Sequence, residues 1–291
     1  MYFGQDHENN PAAWRVIGYN GNGVASAQGD MTLLAAGNMS SVLQFADFGT
    51  NNRYASSYLK TAIDALAEKL TTEENTAVKK RTLTSGSYNG ENTDCVAGEQ
   101  VDNAVFWPLS TAEAFAVNQD LRIVDPEHPS WASSYWWLRS PGYSDHDAAT
   151  VNGDGSVVYS GNAISSWWCV RPAFNLNSDS ILFTSAADGG KTDAAVNGNL
   201  TEVGTGSAEW KLTLKDTSRS FSASASSTLV RVGENLTVTY SGAGTGKNEY
   251  VSAMLADNSG NILYYGRIAQ NSANGTASVE IPSTLQQEPI P

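Results

Sequence analysis

Two apolar phrases frame a passage of quite different character. "WWLRSPG" (Trp136–Gly142) precedes it and "VRPAFNLN" (Val170–Asn177) follows it. Between them, Tyr143–Cys169 reads "YSDHDAATVNGDGSVVYSGNAISSWWC", a mixture of small, polar and aromatic residues. Adjacent Trp136 and Trp137 carry enough apolar area to anchor a core. The middle shows no helical period. It holds Asn-Gly and Asp-Gly pairs, which supply the positive φ of tight turns. Such a passage forms short strands and turns. "AATVNGDGSVVY" is expected to be a hairpin with Val151 and Val157 facing in and Asn152 and Ser156 facing out.

The rest of the chain supplies the frame. "AWRVIGYN" and "DMTLLAAGN" read as early strands. Leu59, Ile63, Leu66 and Leu70 recur at one face of a helix. Thr71 with Glu74, and Ser110 with Glu113, have capping-box spacing and each predicts a helix start. With helices early and strands from about Ser130 onward, the expected class is α+β. After Asp216 the composition shifts to Ser, Ala, Thr and Val. Alternating strands with turns between them predict a small all-β immunoglobulin-like sandwich. The expected domains are 1–216, with the framed passage about 136–175, and 217–291.

The net charge of −13 makes nucleic acid and anionic membrane surfaces poor partners. No run of 18 apolar residues occurs, so no spanning helix or direct membrane insertion is expected. "MYFGQDHENN" lacks the features of a signal peptide, and "QQEPIP" reads as linker, so trimmed ends are expected. The two cysteines, Cys95 and Cys169, fit no zinc pattern and no disulfide framework, although one bridge between them stays open. No metal or other cofactor is expected.

The opening "YFG…WRVI", the "LSTAEA" helix start, "WWLRSPG" and "VRPAFNLN" together resemble a family of bacterial and phage proteins with a C-type lectin-like domain. That family is related in fold to formylglycine-generating enzymes. Some members are target proteins of diversity-generating retroelements, in which error-prone copying at adenines turns AAC codons into NNC codons. The resemblance implies a C-type lectin-like domain followed by an immunoglobulin-like one, and a surface patch rewritten by the retroelement. NNC codons cannot encode Lys, Glu, Gln, Met or Trp. The chain has 34 Lys, Glu, Gln and Met residues, yet none lies between His128 and Gly190, where even spreading would put about seven. Trp167 and Trp168 do not fit an AAC origin.

The residues expected to be variable and ligand-binding are Tyr143, Ser144, Asp145, His146, Asp147, Thr150, Asn152, Gly153, Ser156, Val158, Tyr159, Ser160, Asn162, Ala163, Ser165, Ser166 and Cys169. Trp167 and Trp168 belong to the same surface. Tyr and Trp offer rigid contact area and Ser, Gly and Asn adaptable hydrogen bonds, the composition of antibody binding loops. Fixed frame positions are Trp136 to Gly142, Ala148, Ala149, Val151, Asp154, Gly155, Val157, Gly161 and Val170 to Phe174.

Competing chemistry has weak support. His146 between Asp145 and Asp147 lies on an extended stretch, where neighbours point to opposite faces. "NGDG" at 152–155 lacks the ligand series of an EF-hand. Arg139 and Arg171 suit structural bonding to buried carbonyls better than an anionic ligand. The resemblance raises the copper-binding cysteine pair of formylglycine-generating enzymes, but Cys95 and Cys169 stand 74 residues apart in unsuitable contexts. No Ser triad, P-loop or dinucleotide fingerprint occurs, and His7, His128 and His146 lie in loop-like contexts. The expectation is therefore a non-enzymatic protein that displays a diversified patch to a protein or glycan ligand, on a bacterial cell surface or a phage virion. An ordinary carbohydrate-binding or adhesion module is the alternative.

Overall fold

A computed structural model of the chain describes residues 1–84, 99–124, 134–186, 196–203, 209–215, 220–246 and 249–285. Cys95 and His128 lie outside the described residues. Packing divides the chain into two compact units, Met1–Leu182 and Phe183–Pro291, upstream of the division expected at 216.

The first unit runs, in order, β1 (Tyr2–Gln5), β2 (Pro11–Tyr19), β3 (Asn22–Gly23), β4 (Asp30–Ala35), α1 (Tyr58–Ala67), α2 (Thr72–Ala77), β5 (Val78–Lys79), β6 (Arg81–Leu83), β7 (Val101–Ala104), β8 (Trp107–Pro108), α3 (Thr111–Ala116), α4 (Gln119–Arg122), β9 (Trp136–Pro141), β10 (Asp147–Val151), β11 (Val157–Ala163) and β12 (Pro172–Asn177). Its main sheet has the path β1-β2-β4-β12-β5, with β3 paired to β2 and β8 to β12. Every pairing in that path is antiparallel. A second sheet has the order β11-β10-β9.

The class is corrected here. Among the described residues strand accounts for 44% and helix for 13%, so the protein is mostly β and not α+β. The four α-helices span ten, six, six and four residues. Strands begin at Tyr2, and the late strand β12 pairs with the early strand β4, Phe174 against Leu33. The early strands β2 and β4 lie where the sequence places them; what falls short is the helical share, since α2 to α4 span only six, six and four residues.

Local chemistry explains the helices. In α1, Leu59, Ile63 and Leu66 are buried on one face, and the Ser57 hydroxyl accepts from the Lys60 amide at its start. Both capping boxes are formed, Thr71 with Glu74 at α2 and Ser110 with Glu113 at α3. The strand β4 is buried along its whole length. Against it lies an aromatic cluster in which Phe174 stacks on Phe3 at 4.9 Å and meets the Trp14 ring edge-on at 4.7 Å.

Two buried arginines knit this unit together. Arg171 donates to the carbonyls of Ala35, Arg122 and Leu121 and lies 4.8 Å from the Trp136 ring centre. Arg139 donates to Pro108 O at 2.7 Å and to the Glu113 carboxylate at 2.6 Å. Arg81 reaches the other oxygen of Glu113 at 2.7 Å. Burial alone would raise the Glu113 pKa. The Arg139 charge and hydrogen bond, followed by the Arg81 charge, outweigh it and hold the carboxyl at about 2.

Strand β13 (Ile181–Ala186) crosses the division between the units. The second unit continues with β14 (Thr201–Glu202), β15 (Trp210–Leu214), β16 (Ser222–Ala225), β17 (Asn235–Ser241), β18 (Tyr250–Ala256), β19 (Ile262–Gln270) and β20 (Asn274–Glu280). Two of its sheets have the orders β14-β19-β18 and β16-β17-β20. Tyr240 and Val279 from one meet Val251, Tyr264 and Ile268 from the other, with Leu200, in one small core. No helix among the described residues is long and apolar enough to cross a membrane.

Candidate functional site

The framed passage folds as the β10–β11 hairpin with a loop on either side. Its register pairs Asp147 with Ala163 and Val151 with Val157, and slips between Ala148 and Thr150. Gly155 closes the turn at φ +80, donating its amide to Asn152 O at 2.9 Å. Asp154 shapes the same turn, accepting from the Ser156 hydroxyl at 2.6 Å and its amide at 2.9 Å. Those bonds, the hydroxyl foremost, hold its carboxyl below the usual range. Gly161 has φ +89 and packs against Gly142, so the hairpin crosses the strand end at two residues without side chains.

Most of the predicted residues reach solvent. Tyr143, Asp145, His146, Tyr159, Ser160, Ala163 and Trp167 are exposed. Ser144, Asp147, Asn152, Gly153, Ser156, Val158, Asn162, Ser165, Ser166 and Trp168 are half-buried. Two are corrected. Thr150 and Cys169 are fully buried. Thr150 lies on the central strand β10, where Ala148, Ala149 and Val151 are buried as well, and its hydroxyl accepts from the Asn162 amide at 2.7 Å. Cys169 sits between the frame strands: its amide donates to Tyr135 O at 2.9 Å, and its carbonyl accepts from the Trp137 amide at 3.2 Å. The expected inward valine Val157 is only half-buried.

The two tryptophans part company. Trp167 is 59% exposed. Trp168 stacks on Tyr135 at 4.8 Å, and its backbone exchanges hydrogen bonds with Leu43 at 3.0 and 3.1 Å. Trp168 is therefore part of the frame that carries the surface.

Residues outside the passage complete the surface. Phe48, 86% exposed, stacks on His146 with ring centres 6.5 Å apart. Phe115 lies 6.4 Å from Tyr159. Asn52 is buried and donates to both Ser144 O at 3.0 Å and Asp147 O at 2.8 Å, clamping the 143–147 loop from beneath. Gln44 donates to Ser165 O at 2.8 Å, and the Ile164 carbonyl accepts from the amides of Phe45 and Ala46. No sequence signal pointed to these residues. Gln44, Phe45, Ala46, Phe48 and Asn52 are loop residues whose role arises from contacts about 100 positions away, and Phe115 reaches Tyr159 from the helix α3.

The arrangement supports recognition more than bond chemistry. His146 lies 3.5 Å from Asp145, with both side chains largely exposed. Asp147 instead accepts from the Ser144 hydroxyl at 2.6 Å, so the three groups do not converge. Among the described residues no group of three or more His, Cys, Asp or Glu could hold a metal ion.

Fold and surface together define a β-rich domain with a solvent-facing hairpin on a buried frame knit by arginines. The chain belongs to the DUF6273 family, a domain of unknown function, whose family model matches residues 29–178. That span begins with β4 and ends with β12, and its two ends touch, the Ser178 amide donating to Gly29 O at 2.9 Å. No curated protein and no solved structure matches the chain.

Proposed function

We propose that the first unit is a ligand-display module that recognises a protein or glycan through the β10–β11 hairpin and its flanking loops. The observation that carries this is the partition of exposure. Of nineteen residues singled out in the passage, seventeen are exposed or half-buried, while every residue of Trp136–Pro141 and Val170–Leu176 is buried. Tyr143, Tyr159 and Trp167, with Phe48 and Phe115, offer rigid aromatic contact area of the kind that dominates binding energy. Asp145 and Asn162 supply polar contacts among them. The surface is read as one diversified by a retroelement, on the resemblance to C-type lectin-like variable proteins and on the missing Lys, Glu, Gln and Met codons. Its place is the outside of a bacterial cell or a phage particle.

The test has a genetic and a physical arm. DNA beside the gene is expected to hold a reverse transcriptase and an AAC-rich near-copy of codons 136–175. Absence of both would favour a carbohydrate-binding or adhesion module whose surface is not rewritten, since exposed Tyr and Trp stack on sugars equally well. In a library varied only at the exposed positions, most members should keep the parental melting temperature. General loss of folding would sink the display reading.

A further inference from the structure

A second concave site lies away from the hairpin, between the β1–β2 loop and residues 37–40. It is a cleft of about 270 Å³. We propose that it binds a neutral polyhydroxylated small molecule the size of a pyranose.

Its walls are built before any ligand arrives. Asp6 Oδ1 accepts from the amides of Glu8 at 2.8 Å and Asn10 at 2.9 Å, and Oδ2 accepts from the Asn10 side chain at 3.1 Å. Lys69 crosses from beyond α1 to donate to Asp6 O, His7 O and Asn9 Oδ1 at 2.7 to 3.1 Å. On the opposite wall, Asn38 accepts from the Val170 amide at 2.7 Å, and Met39 O accepts from the His7 amide at 3.1 Å. A loop ordered in this way loses little freedom on binding.

The rim presents one arrangement that suits a hydroxyl. His7 Nε2 stands 3.8 Å from Glu8 Oε1, with both side chains reaching solvent. That gap is too long for a direct hydrogen bond, and an oxygen seated to one side of the pair comes within hydrogen-bond distance of both groups. A hydroxyl there accepts from the imidazole N–H and donates to the carboxylate. The two roles need no charge on the ligand. Asn10 and Ser40 add polar groups at the rim, while Pro11 and Ala13, which reach solvent, give an apolar wall. A sugar ring has the same two aspects, hydroxyl edges and C–H faces.

Charge narrows the class. Asp6 and Glu8 repel anions. Asp6 is already saturated by three donors, which leaves no converging set of carboxylates for a metal. The volume lies just below the usual range for small-molecule sites, about 300–1,000 Å³, which limits the ligand to a single ring.

The proposal is tested by NMR titration of the whole chain with methyl hexopyranosides, and separately with inorganic phosphate, following the side-chain amides of Asn10 and Asn38 and the indole of Trp167. Saturable shifts of both amides by a pyranoside, in the millimolar range, are expected. His7→Ala and Glu8→Ala should each weaken binding by at least about tenfold, the loss of a hydrogen bond to a polar or charged partner. Neither should move the melting temperature. Silence of the amides toward every pyranoside, parental affinity in either variant, or a response to phosphate alone would overturn the proposal. A sugar that moves only the Trp167 indole would also overturn it, while leaving the display reading intact.

Discussion

Replacing Gly161 by Ala is expected to destabilise the first unit strongly, although the residue lies within the passage proposed to tolerate change. Its φ of +89 lies in a region where an L side chain costs about 1–2 kcal/mol. An added Cβ would also stand 2.8 Å from Ala148 O and 3.0 Å from Gly142 Cα, both backbone atoms that cannot swing aside. Overpacking of that kind adds about 1–3 kcal/mol. Gly49 provides the reference. It has φ +83 with nothing within 4 Å of an added Cβ, so Gly49→Ala meets only the conformational cost. With roughly 2–4 °C per kcal/mol for a unit of this size, Gly161→Ala should lower the first unit's melting temperature by about 4–20 °C and Gly49→Ala by about 2–8 °C. Tyr143→Ser, at an exposed position, should stay within about 0.5 kcal/mol of the parent. Thermal unfolding followed by near-ultraviolet circular dichroism reads all three. Equal shifts for the two glycines, or a Tyr143→Ser shift as large as that of Gly161→Ala, would refute the split between frame and surface.

Other outcomes follow from the same geometry. Trp167→Ala should impair ligand binding at unchanged stability, whereas Trp168→Ala should cost about 2–4 kcal/mol in denaturant unfolding through the lost stack on Tyr135. Asn52→Ala strips a buried donor from two carbonyls, so it should destabilise by about 1–3 kcal/mol. It should also speed amide exchange in the 143–147 loop, measured by mass spectrometry. Glu113 has a folded pKa of about 2, below its ordinary 4.5, so its stabilising contribution is present above pH 4.5 and fades as pH falls toward 2. Glu113→Gln should flatten that acid limb in urea midpoints measured across pH. It should also destabilise at neutral pH by about 3–5 kcal/mol, because Arg139 keeps its charge in a buried place.

What could be read from sequence was local. The capping boxes at Thr71 and Ser110 need only residues three apart, and the hairpin needs only its Asn-Gly and Asp-Gly turn. Conformationally demanding positions such as Gly155 and Gly161 also stand out, because glycines between outward-facing residues mark a beat. The α+β expectation gives the early helices too much weight: the face of α1 is visible in one line, but α2 to α4 span only six, six and four residues. Thr150 differs for a related reason: its residue type suggests the surface, but strand β10 is central and buried from Ala148 to Val151, so alternation vanishes there. Cys169 closes the passage, and its backbone bonds to Tyr135 and Trp137 draw it into the frame. Phe48 and Asn52 leave no trace at all, since a loop residue that supports another loop far along the chain obeys no spacing, and the contact of Phe115 on α3 with Tyr159 on β11 obeys none either.

The β4–β12 pairing has a consequence for synthesis. Leu33 leaves the ribosome about 140 residues before its partner Phe174. At about 5–20 residues per second, that is a wait of roughly 7–28 s. Meanwhile β2 can shield one edge of β4, but the other edge of a strand that the fold buries along its whole length stays open to any neighbouring nascent chain. A chain cut short before Pro172 would carry that open edge permanently. Such fragments should collect in inclusion bodies, and chaperone supply during translation should govern the yield of the intact protein more than any change within the hairpin.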